Sequence, residues 1–188
     1  MAAPYHNLRS KLDRAIVAYL ISAGAGSIDD VLSSRTRKAR KFPNTTVKAG
    51  RGVPDPPYSG NYRVTVYVSI KYSATQEVKE PNPGLARTQF DQRVAQTFDA
   101  LMQSDNQQDL HQTATLITAA GRNLAVDPNN GTDPVTKQEA ENNADMADFT
   151  IMQWIDQGFG SGPDEDAEGN NWEEVLMFEA LCCPSNVD

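Results

Sequence analysis

The chain has 188 residues, 25 of them acidic against 17 basic, and a formal net charge of −8. That length closes one hydrophobic core, and the absence of any apolar run near ~18 residues excludes a membrane-spanning helix. Cys182 and Cys183 are adjacent, so they build neither a disulfide framework nor a zinc site by themselves, and the first residues lack a secretory signal's basic and apolar regions, so a reduced, soluble, non-secreted protein is expected.

Leu8, Leu12, Ala15, Ile16, Tyr19 and Leu20 recur at helical spacing, with Arg9, Lys11, Asp13 and Arg14 on the opposite side. This predicts an amphipathic helix over 6–23, stopped by Gly24-Ala25-Gly26. Residues 25–60 hold a basic run and four prolines, which predicts extended loop with a short strand at 45–49. Tyr62, Val64, Val66, Val68, Ile70 and Tyr72 alternate with Arg63, Thr65, Tyr67, Ser69 and Lys71. That pattern is a half-buried strand about 36 Å long at ~3.3 Å per residue. Pro81 and Pro83 end it. Phe90, Val94, Phe98, Leu101 and Met102 then mark a helix over 85–103, and Asp105 with Gln108 resembles a capping box. Leu110, Thr113, Ala114, Ile117, Ala120 and Leu124 mark another helix. Residues 126–145 lack periodicity and read as a long polar loop. Two strands close the chain, at 149–157 and 172–183, joined by an acidic loop over 158–171. The last strand is apolar on both faces, as a central or covered strand should be. The order α-β-β-α-α-β-β predicts one α+β domain over 1–188, with extended loops at 25–60 and 126–145. Its mostly antiparallel sheet has about four strands, with helices packed on one face.

Chemistry-bearing patterns are sparse. Asp55 after Pro54, followed by Glu77 and Lys79, has the residue types of a metal-dependent nuclease. There, two carboxylates hold a divalent metal and a lysine helps activate water. Such residues belong on adjacent rigid strands, whereas these three read as loop positions beside prolines. Residues 164–169 have the spacing of a calcium loop's front half, but the twelfth position is Val175 and the flanks read as strands, so a solvated hairpin is the simpler reading. His6 and His111 have no Ser or Cys partner in a nucleophile motif. No phosphate-binding glycine loop is present, and no metal, cofactor or catalytic residue is assigned.

The charge is distributed unevenly. Residues 1–75 carry +8 and residues 76–188 carry −16. The basic part is concentrated in Arg35, Arg37, Lys38, Arg40 and Lys41, and the acidic part includes Asp164, Glu165, Asp166 and Glu168. No aromatic residues interleave the basic run to stack on a single strand, and an acidic chain favours protein contact over nucleic acid. Differently charged surfaces of this kind suit a subunit with neighbours on two sides.

At this point the layout resembles a known family. An amphipathic N-terminal helix leads to the Phe-Pro segment at 42–47 and the long alternating strand at 61–73. A helical section follows, and then a hairpin whose acidic loop runs through Trp172 into the final strand. In element order this resembles the tail terminator proteins of long-tailed bacteriophages and the related tail-completion and neck proteins. The chain is longer than the small members at 48–60 and 105–145. The resemblance implies a structural virion protein rather than an enzyme, in a ring, usually a hexamer, at the head-proximal end of the tail tube. Such a ring ends tube polymerisation and offers a surface to the head connector or head-closure protein. Genomic double-stranded DNA passes through its lumen without specific binding, and no membrane is involved. The implied location is the tail or neck of the virion, with assembly in the host cytoplasm. The two charged runs are then expected at assembly interfaces or, for the acidic one, along the pore.

Overall fold

The computed structural model describes residues 5–34, 43–57, 59–73, 83–103, 111–126, 149–165 and 171–184. In chain order these form α1 (Tyr5–Ser22), β1 (Val31–Ser33), β2 (Asn44–Pro54), β3 (Tyr62–Ser73), α2 (Pro83–Leu101), α3 (His111–Val126), β4 (Phe149–Glu165) and β5 (Asn171–Pro184). The strands make one sheet in the order β1-β2-β3-β5-β4. All pairings are antiparallel except that of β1 with β2. The fold is α+β as expected, with five strands instead of about four and a short parallel strand at one edge.

The alternation in β3 organises the sheet. Val64, Val66, Val68 and Ile70 are fully buried, while Tyr67 and Lys71 on the opposite face are exposed. Pairing of β3 with β5 runs from Tyr62 opposite Cys182 to Ser73 opposite Asn171 without a shift. Because side chains alternate with period two, this register puts Leu176, Phe178, Ala180 and Cys182 in the same buried layer as the β3 valines. Ile151 and Trp154 extend that layer into β4. Over it α1 lays Leu12, Ile16 and Leu20, α2 lays Phe90 and Leu101, and α3 lays Ala114 and Ile117, all in one hydrophobic cluster. Each large side chain so buried stabilises the fold by ~1.5–3 kcal/mol.

Aromatic contacts fasten the layers. Trp154 stacks on Phe178 with ring centroids 4.8 Å apart, and its Nε1 donates to the Leu101 carbonyl at the end of α2 at 3.2 Å. Trp172 stacks on Tyr72 across the strand pair at 4.7 Å, with Phe90 tilted against it. The Tyr19 hydroxyl, buried in α1, donates to the Ala100 carbonyl at 2.6 Å.

The helices follow their sequence signals closely. α1 ends where expected, with Gly24 at φ 75°. Hydrogen bonds from Ala25 N to Leu20 O and from Gly24 N to Ile21 O satisfy the last carbonyls in the pattern of a left-handed cap. α2 opens on Pro83, whose missing N–H costs nothing in a first turn. The capping pair Asp105 and Gln108 lies outside the described residues, as does the loop expected over 126–145 apart from Val126, which ends α3.

Other expectations need correction. Helical periodicity puts Asp13 on the polar side of α1, yet it is 1% exposed. Its Oδ1 accepts the Ala49 N–H at 2.5 Å and its Oδ2 accepts the Ser33 hydroxyl at 3.3 Å, while Arg9 Nε donates to the Ala49 carbonyl at 3.0 Å. The cause lies in β2, whose register shifts between Ala49 and Gly52. α1 side chains take the Ala49 backbone groups at this irregularity. The loop expected over 25–60 contains β1 and an eleven-residue β2. β4 continues through Gly158 to Glu165 instead of ending near 157, and three of its four register shifts against β5 fall between Asp156 and Asp164. β5 is central, but its Val175, Met177 and Leu181 are only partly buried, and Tyr67 beside Met177 is 36% exposed. Among the described residues no helix covers that face.

Candidate assembly surfaces

The register fixes where each charged run joins the sheet. Asn44 pairs with Lys71, Ser73 with Asn171 and Glu165 with Trp172. The start of β2, the end of β3, the start of β5 and the end of β4 therefore share one end of the sheet. The acidic run begins there: Asp164 and Glu165 are the last residues of β4, and Asp166 and Glu168 lie outside the described residues. Arg35, Arg37, Lys38, Arg40 and Lys41 also lie outside them. Their flanks are described: Ser34, whose N–H donates to the Val47 carbonyl at 2.8 Å, and Pro43, immediately before β2. The acidic run thus joins the β4/β5 side and the basic run the β1/β2 side of the same sheet, at or near the same end. With strands ~4.8 Å apart, the two outer strands stand about 19 Å from each other.

The uncovered sheet face carries its own ion pairs. Arg63 meets Asp55 through Nη2 and Nε and Glu179 through Nη1 at 2.5 Å, and both carboxylates hold the guanidinium above its ordinary pKa. Lys71 Nζ lies 2.9 Å from Glu173, which also accepts the Ser69 hydroxyl at 2.6 Å. Tyr67 and Val53 stand exposed among these charges. On the helical side Arg87 lies over the rings of Phe90 and Trp172, 5.6 and 5.3 Å from their centroids. Nearby, Glu174 is held above the usual carboxylate range, first by burial and then by Asp91, with Arg87 opposing.

Of the nuclease set, Asp55 lies in the turn after β2 with its carboxylate engaged by Arg63; Glu77 and Lys79 lie outside the described residues. Among the described residues no three His, Cys, Asp or Glu side chains converge as metal ligands. His111 opens α3 with an exposed side chain, and His6 is the second residue of α1. Cys182 is buried, its thiol pushed well up by that burial and by Cys183. Sequence pattern alone does not join Arg63 to Asp55 and Glu179; the signal it holds is a basic residue at the outward position of an alternating strand, with the partners 8 and 116 positions away. A scan against protein-family models finds no match, and a search of curated proteins finds no similar sequence.

Proposed function

We propose that this protein is a structural ring subunit of a phage or phage-like tail, a tail terminator or closely related neck protein. The observation that carries the reading is the strand order, which attaches oppositely charged runs to the two sides of one sheet. A copy that presents positive charge on one flank and negative charge on the other attracts the next copy in the same orientation. Such a head-to-tail contact is heterologous, and it closes into a ring when the rotation per subunit divides a full turn. Arg35, Arg37, Lys38, Arg40 and Lys41 then meet Asp164, Glu165, Asp166 and Glu168 of the neighbour. Complementary charge sets the encounter rate and the register of this contact more than its depth. The uncovered sheet face, with Tyr67 and Val53 exposed, is available to a second kind of neighbour.

In this reading the ring sits on the head-proximal end of the tail tube, ends its growth and receives the head connector. Genomic DNA passes through without specific contact. The protein is located in the virion tail or neck after assembly in the host cytoplasm. The test is to mix the purified protein with the tail-tube protein of the same particle and inspect the mixture by negative-stain microscopy. Rings capping tubes of limited length are expected; tubes that grow without regard to the protein would refute the role.

A further inference from the structure

At the other end of the sheet, away from the charged runs, α3 and the first residues of β4 enclose a groove of about 530 Å³. His111, Thr115, Ala119 and Arg122 line its helical wall at spacings of four, four and three, so they share one face of α3. Three turns separate the first from the last, about 16 Å at ~1.5 Å per residue. The floor is apolar and closed: Ile151 is buried, and its N–H donates to the buried Thr118 hydroxyl at 2.9 Å. Met152 stands 47% exposed at the rim.

Arg122 is the informative residue. Its Nη2 donates to the Thr150 hydroxyl at 2.9 Å, which fixes the guanidinium at the end of the groove. Among the described residues it faces no carboxylate, whereas Arg63 meets two and Arg87 and Arg93 one each. A hydrogen-bonded cation that meets no carboxylate among the described residues, beside an apolar floor, is locally complementary to an acidic and apolar ligand. The length of the groove matches about five residues of extended chain.

We propose that this groove binds an extended acidic segment of a partner protein, with a carboxylate on Arg122 and an aliphatic side chain over Ala119 and Met152. The site is independent of the ring reading, since it uses neither charged run. The probe is a fluorescein-labelled, capped hexapeptide of alternating leucine and glutamate, followed by anisotropy, with a leucine-lysine hexapeptide as control. Saturable binding of the acidic peptide alone is expected. Arg122→Gln should weaken it about tenfold through loss of the charge-assisted hydrogen bonds. Ala119→Trp, at an exposed position on the groove wall, should block it while circular dichroism stays unchanged. Equal binding of the two peptides, or acidic binding that survives either substitution unchanged, would overturn the proposal.

Discussion

Asp13 shows how a single residue can belong to both an apparent surface and the core. Helical periodicity puts it with Arg9 and Arg14, and only the irregularity in β2, which exposes the Ala49 amide to α1, explains its burial. Removing the side chain leaves that buried amide without its acceptor, and an orphaned buried donor costs ~1–3 kcal/mol. Asp13→Ala should therefore lower the urea midpoint by that order, and Asp13→Asn, which keeps an acceptor for Ala49, by less. Glu174 makes a pH prediction. Its folded pKa is raised above the ordinary value, so the native state binds more protons than the unfolded one between those two values. Its contribution is fully present below the unfolded pKa and is lost as pH rises through the folded one. Glu174→Gln should consequently flatten the decline in stability on the way from acid to neutral pH. Denaturation curves at pH 4 and pH 7 measure it; an identical slope in the variant would disprove the assignment.

At the level of elements, legibility followed local pattern. β3 could be read because its alternation is unbroken, and the helices because apolar residues recur every three or four positions. The second half of β4 could not, since Gly158, Gly160, Gly162 and Pro163 erase any alternation. That segment becomes strand because β5 offers a paired backbone, with Gly158 at φ 83° absorbing one of the irregularities. β1 has three residues and exists only through its parallel contact with β2. The link from α1 to α2 makes a test of its own. Gly26 sits at φ 155° beneath the Arg93–Asp30 ion pair, and a Cβ there would fall 1.9 Å from Arg93 Nη1 and 2.5 Å from Val31 Cγ2. Gly26→Ala must displace Arg93 and strain the backbone, a loss of ~1–3 kcal/mol. Thermal unfolding should report it as a lower Tm, and an unchanged Tm would show that the segment relaxes freely.

Across the whole molecule, the charge runs were visible in composition, but their relation was not. Residues 35–41 and 164–168 are more than a hundred positions apart, and only the strand order and register attach them to opposite sides at the same end of one sheet. The same holds for the groove at Arg122, which needs α3 and β4 together. Charge attraction between copies predicts self-association that weakens with salt as screening sets in. Replacing Arg35, Arg37, Lys38, Arg40 and Lys41 together with Gln removes one side of the contact while leaving the described core intact. The direct measurement is mass photometry of the wild-type and five-fold variant proteins at low and high salt. A closed oligomer that is present in the wild type at low salt, and absent at high salt and in the variant, is the predicted result. A wild-type protein that stays monomeric, or an oligomer indifferent to both salt and the substitutions, would contradict the account.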